Sequence, residues 1–258
     1  MPPTNPPFTS SSFKILGDDI QAIEFDLAPG AGVKAEAGAM LYMQQGITVD
    51  TKFEGGFLGA LKRAFVNESL AIPFFTNTSN VNQRVAFSAP YPGKIIPISL
   101  QVFGGTLLAQ RDSFLCADID TTIEVAFTKK IGAGFFGGEG FILEKLSGKG
   151  MVFVHSGGTI IEKELVQGEI LKVDTGCLVA FSESIDYDVQ LISGFKNMLF
   201  GGEGFFQTVL TGPGKVYLQS LPFSRIAQAI MQTVQGNAGS SESGGALGQL
   251  ANSFFDRQ

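Results

Sequence analysis

Three acidic residues share a local setting. Glu139 and Glu203 lie in identical hexapeptides, FGGEGF at 136–141 and at 200–205, and Glu68 lies in a weaker copy, Asn67-Glu68-Ser69-Leu70. Three carboxylates gathered at one axis would suit a hard cation such as Ca²⁺ or Mg²⁺, which takes oxygen ligands. A plainer role fits the same residues: each carboxylate accepts hydrogen bonds from amides of its own loop, and a repeated loop repeats its brace. The plainer role is expected, because no D-x-D-x-D-G loop accompanies the acids. Glu68, Glu139 and Glu203 remain the metal candidates, and no cofactor is expected. The glycines of FGGEG do not form a phosphate cradle, since neither G-x-G-x-x-G nor G-x-x-x-x-G-K-[ST] leads into a helix.

The chain has one histidine, His155, followed by Ser156. Neighbouring strand residues point to opposite faces, so this pair cannot act as base and nucleophile. No G-x-S-x-G elbow is present, and a multi-histidine metal site is excluded. No catalytic residue is therefore assigned. Cys116 and Cys177 sit in apolar runs without C-x-x-C spacing and read as buried small hydrophobes.

A second class of candidates joins aromatic residues to cations. Phe57 and Leu58 precede Lys62 and Arg63. Lys130 precedes Phe135 and Phe136, and Lys196 precedes Phe200. Apolar insertion beside a cation is the composition of a shallow membrane contact. It is equally that of a subunit interface, whose core is aromatic and poor in charge. With a formal net charge of −6 and one or two cations per segment, the interface is the expected role, and a peripheral membrane contact is the alternative. The acidic balance and the lack of a basic cluster argue against nucleic acid.

The chain's composition agrees with a core-rich, weakly charged protein. Of 258 residues 44% are hydrophobic and only 16% charged, with 33 Gly and 24 Phe. The first residues, MPPTNPPFTSSS, lack a basic n-region, an apolar stretch and the Arg of a transit peptide. No apolar run approaches the ~18 residues of a spanning helix. A cytoplasmic location is expected.

The elements that must position these residues repeat along the chain. Residues 23–38 align without a gap on 161–176, so that Ile23, Leu27, Gly30, Lys34 and Gly38 meet Ile161, Leu165, Gly168, Lys172 and Gly176. Strands ending at Ser88, Ser156 and Ser220 follow the three acidic segments, with about three extra residues in the first copy near Asn77–Asn80. The middle copy of the glycine block is read as Tyr91-Pro92-Gly93, which requires about twelve inserted residues near 101–106. Alternation of apolar and polar residues at 23–27, 119–127 and 185–191, with turn signals every 8 to 15 residues, predicts strands. The expected class is all-β, with a disordered tail at 1–12 and a triplicated domain at 13–221. Its units span about 13–83, 84–150 and 151–221. A helix is expected at 222–235, starting after Pro222 and stopping at Gly236, then a flexible tail at 236–258. A further short helix is expected at 59–66. One such unit cannot easily bury its apolar face alone, so the three are expected to pack as sandwich-like units about a pseudo-threefold axis.

The blocks GGFLGALKRAFVNESL, GFFGGEGFILEKLSGKGMVFV and FGGEGFFQTVLTGPGKVYLQS also carry a family likeness. They resemble the mitochondrial biogenesis, or altered inheritance of mitochondria, family over about 13–222. The resemblance implies a triplicated all-β fold similar to the tryptophan RNA-binding attenuation protein, homotrimers, and no known activity or ligand. It implies mitochondria for the fungal members, but the basic presequence needed for that is absent here. The expected function is a non-enzymatic oligomeric scaffold or binding protein, membrane-proximal at most. The alternative is a carboxylate-based metal or small-ligand protein or enzyme.

Overall fold

The computed structural model describes residues 13–53, 71–129, 140–191 and 206–238. After an opening strand β1 (Phe13–Leu16), six strands follow: β2 (Ala22–Leu27), β3 (Gly32–Ala35), β4 (Met40–Met43), β5 (Ile47–Phe53), β6 (Ala71–Asn77) and β7 (Gln83–Ser88). The next six are β8 (Lys94–Ser99), β9 (Thr106–Gln110), β10 (Phe114–Asp118), β11 (Thr122–Lys129), β12 (Phe141–Ser147) and β13 (Met151–Ser156). The last six are β14 (Ile160–Leu165), β15 (Ile170–Asp174), β16 (Leu178–Ser182), β17 (Asp186–Leu191), β18 (Phe206–Thr211) and β19 (Gly214–Gln219). A helix, α1 (Phe223–Ala238), ends the described chain. The all-β class expected from the alternation is what the chain adopts.

The same pairing order occurs three times. First, sixth and third strands of each group pair as β2-β7-β4, β8-β13-β10 and β14-β19-β16. Fourth, fifth and second strands pair as β5-β6-β3, β11-β12-β9 and β17-β18-β15. Between groups, β3 pairs with β10 and β9 pairs with β16, which fuses these triplets into two six-stranded sheets. β1 adds to the outer side of β2. Breaks between groups therefore fall at 89–93 and 157–159, one strand later than the sequence landmarks at 83 and 150.

Each third strand carries a bulge at one matched place: between Met40 and Tyr42, Phe114 and Cys116, and Leu178 and Ala180. A bulge fixes register and bends the strand, so Tyr42, Cys116 and Ala180 occupy equivalent positions. Gly30, Gly104 and Gly168, twelve residues earlier in each case, all have positive φ (78°, 69° and 77°), where a Cβ would be strained. This corrects the middle glycine. Gly104, not Gly93, matches Gly30, and no twelve-residue insertion is needed. The sequence misled because the Pro-Gly dipeptide at 92–93 imitates the one at 29–30, whereas Gly104 ends a short 3-10 turn, Leu100–Phe103. Gly93 meets a different constraint: an added Cβ would lie 2.3 Å from the Ser156 carbonyl oxygen.

Burial follows the pleat. In β2, Ile23, Phe25 and Leu27 are buried while Asp26 is exposed, as the alternation predicts. Phe25 meets Phe87 of β7 and, edge-on at 5.3 Å, Phe153 of β13. The first core cluster thus draws Leu115, Cys116 and Phe153 from the second group of strands. The β6–β7 turn, residues 78–82, is longer than 148–150 and 212–213, in line with the extra residues read from sequence. Buried Asn77 holds it, donating from Nδ2 to the Leu27 and Val81 carbonyls at 2.8 Å each and accepting from the Ser79 amide at 3.0 Å. Helix α1 runs to Ala238, past the stop expected at Gly236. One glycine costs a helix only about 1 kcal/mol.

Candidate functional site

The acids Glu68, Glu139 and Glu203 lie outside the described residues. So do Phe57, Leu58, Lys62, Arg63, Lys130, Phe135, Phe136, Lys196 and Phe200, together with the helix expected at 59–66 and both tails. What the structure gives is their attachment. Residues 54–70, 130–139 and 192–205 each join an antiparallel pair, β5 to β6, β11 to β12 and β17 to β18. The pairs end at Phe53 opposite Ala71, Lys129 opposite Phe141, and Leu191 opposite Phe206. Among the described residues no group of three His, Cys, Asp or Glu side chains is placed to hold a metal ion.

His155 is buried in β13, with the Tyr91 ring edge-on at 4.6 Å. Burial lowers its pKa to about 4, so the ring is neutral at physiological pH. Its Nδ1 and the Ser156 hydroxyl have no hydrogen-bond partner among the described residues. Ser156 is buried as well. Cys116 is buried in β10, and burial pushes its thiol well up. Cys177 closes a 3-10 turn, Thr175–Cys177, rather than lying in a strand. Both are free thiols.

Glu144 of β12 is a buried ionisable group that sequence reading missed. Its carboxyl is fully buried and neither oxygen has a hydrogen-bond partner among the described residues. Burial, with Glu36 adding to it, raises its pKa to about 8, against the pull of Arg111. A carboxyl kept neutral in this way needs no counter-ion. It stands in the strand run FILEKLS, where only its place in the pleat, between buried Leu143 and half-buried Lys145, hints at burial.

The largest departure from an ordinary surface is β4. Met40, Leu41, Tyr42 and Met43 are 46%, 53%, 40% and 41% exposed. The matched strand β10 is buried at all five residues, and β16 at four of five. Among the described strands β4 pairs with β7 on one side only, while β10 and β16 are each paired on both. Its unpaired side therefore shows backbone donors and acceptors beside four large apolar side chains. Tyr42 Oη donates to Glu24 Oε2, and this hydrogen bond raises the phenol pKa.

The chain's similarities to known proteins agree with this architecture. The family model for mitochondrial biogenesis AIM24 matches residues 13–221. An uncharacterised protein of Streptococcus pyogenes serotype M6 is 30% identical over 215 residues, which are 80% of this chain and 83% of that one. The X-ray crystal structure of another Streptococcus pyogenes protein superposes with a TM-score of 0.67 at 27% identity. It covers 86% of this chain and 98% of its own.

Proposed function

The chain belongs to the mitochondrial biogenesis AIM24 family, and from that premise we propose that it is a non-catalytic, self-assembling scaffold, a cytoplasmic homotrimer. In this reading the three groups of strands are three copies of one repeat, similar to the tryptophan RNA-binding attenuation protein fold, set around the axis of the assembly. The single observation that carries the reading is β4. Exposed strand edges invite pairing, and soluble proteins blunt them with charge, proline or bulges facing out. Every other outer edge among the described strands does so: Lys14 in β1, Asp50 in β5, Glu124 in β11, Asp186 and Asp188 in β17, Lys172 and Asp174 in β15, Glu162 to Glu164 in β14, and Lys94 and Pro97 in β8. β4, Met-Leu-Tyr-Met, carries neither charge nor proline, and its bulge lies on the side already paired with β7. An unprotected apolar edge is an interface that a partner covers, and the economical partner is another copy of the chain. The Phe-rich segments 54–70, 130–139 and 192–205 serve in this proposal as further subunit contacts.

Sedimentation velocity tests it. Leu41→Lys combined with Met43→Lys puts two charges on the edge and touches no buried residue. The wild-type chain is expected to sediment as an assembly and the double variant as a folded monomer, with an unchanged far-ultraviolet circular dichroism spectrum. An assembly that survives both charges would refute the assignment of β4.

A further inference from the structure

The exposed edge β4 has a complement on the same chain. β15 is the second strand of its group, as β3 and β9 are of theirs. Those two are flanked on both sides, by β6 and β10 in one case and by β12 and β16 in the other. β15 pairs with β18 only, and its other side is open. Thus, among the described strands, β4 and β15 are the two whose counterparts in both other groups are paired on a side where they are not. The edges of β5, β11 and β17 are outer edges in all three groups, so their exposure is a feature of the repeat. The openness of β4 and β15 is not.

We infer that β15 of one copy pairs antiparallel with β4 of the next, and that this pairing is the seam of the assembly. The inference rests on the self-assembly proposed above and gives it a register. The two seams inside the chain set the rule. In the first, Cys116, Ala117 and Asp118 stand opposite Ala35, Lys34 and Val33. In the second, Ala180, Phe181 and Ser182 stand opposite Ala109, Leu108 and Leu107. Counting from the matched glycines, Ala35, Ala109 and Val173 are each five residues on, and Tyr42, Cys116 and Ala180 each twelve. The third seam therefore places Tyr42 opposite Val173, Met43 opposite Lys172, and Gln44 opposite Leu171.

Side-chain burial supports this register. Lys34 in the first seam is 2% exposed, with its Nζ donating to the Thr121 carbonyl and lying 4.7 Å from the centre of the Phe74 ring. Its counterpart Lys172 is exposed, in a strand whose residue Ile170 is 60% exposed. Leu115 and Cys116 enter the core cluster of the preceding group. Leu41 and Tyr42, their counterparts, are exposed, and among the described strands no such group pairs beside them. A second copy supplies it. The pairing joins two different edges, so copies run head to tail and each carries both halves of the seam. Closure of such a heterologous contact gives a ring, and failure to close gives a filament.

Site-directed cross-linking between distinguishable copies is the test. Met43→Cys is made on a chain carrying an affinity tag and Lys172→Cys on an untagged chain, both with Cys177→Ala, leaving buried Cys116. Facing strand residues lie within disulfide reach in either type of antiparallel pair. After mixing, dissociation in mild urea, reassembly and mild oxidation, more than half of the tagged chain is expected in a disulfide-linked heterodimer. Either single variant alone is expected to give under a tenth of that yield. The two cysteines on one chain are expected to give linked dimers and trimers. A within-chain disulfide as the sole product would overturn the inference, because β4 would then close on its own β15. Equal yield from Met43→Cys alone would overturn it too, in favour of a like-to-like edge. Light scattering on the same samples separates the failures. An oligomeric mass without the 43–172 link defeats the seam and leaves self-assembly standing, whereas a monomer mass defeats both.

Discussion

Glu144 and His155 are both buried without hydrogen-bond partners among the described residues, and they act on stability in opposite directions. The Glu144 pKa is raised to about 8 from 4.5, so the folded chain holds a proton that the unfolded chain releases. Its contribution is complete below pH 4.5 and is lost as pH rises toward 8, by about 3–5 kcal/mol in all. Glu144→Gln is expected to raise the melting temperature at pH 8 and to change little at pH 4.5, measured by scanning calorimetry at both. An equal effect at the two pH values would show that the carboxyl is ionised when folded. The His155 pKa is lowered to about 4. Here the unfolded chain binds the extra proton, and stability falls by about 2–3 kcal/mol as pH drops from 6.5 toward 4. The ring's NMR titration midpoint is expected near 4, and a midpoint near 6.5 would place the ring in solvent. Sequence reading expected His155 to be structural or at the surface, and the fold buries it in β13. The same reading passed over Glu144, because one acid in an apolar run gives no sign of whether the sheet covers both its faces.

At the scale of the element, the strands were legible and their partners were not. Alternation at 23–27 marked β2, and terminal serines marked β7, β13 and the end of β19, since these signals are local. The match of Gly30 to Gly104 was missed because Gly104 ends a 3-10 turn, while the Pro-Gly turn before Gly30 has its look-alike at 92–93. The exposure of Met40–Met43 was invisible for a deeper reason: MLYM has the composition of a core strand, and only long-range pairing decides whether it is covered. Phe153 of β13, packed on Phe13 and Phe25, shows how the groups of strands are coupled. Phe153→Ala is expected to cost about 3–5 kcal/mol, and urea unfolding followed by fluorescence and by circular dichroism should keep one shared midpoint. Two separate transitions would mean that the groups fold independently. The hairpins β5/β6, β11/β12 and β17/β18 carry the Phe-rich segments. In flotation with neutral and with anionic liposomes the assembled protein is expected to remain with the unbound fraction. Flotation with anionic vesicles alone would assign those segments to a membrane instead.

For the whole molecule, low charge and abundant Phe fit the proposed assembly. Part of that Phe content is the core around Phe25, Phe87, Phe153 and Phe181. The apolar edge of β4 is surface of another kind, unpaired in a chain that pairs its counterparts twice over. Three groups of strands joined by two seams leave one half-seam at each end, and the proposed head-to-tail assembly would close both. The most direct test is the mass in solution by light scattering coupled to size exclusion. Three chains of 27.4 kDa predict about 82 kDa, unchanged across a tenfold dilution. A mass of 27.4 kDa at every concentration would contradict self-assembly and leave β4 as an edge that the chain tolerates bare.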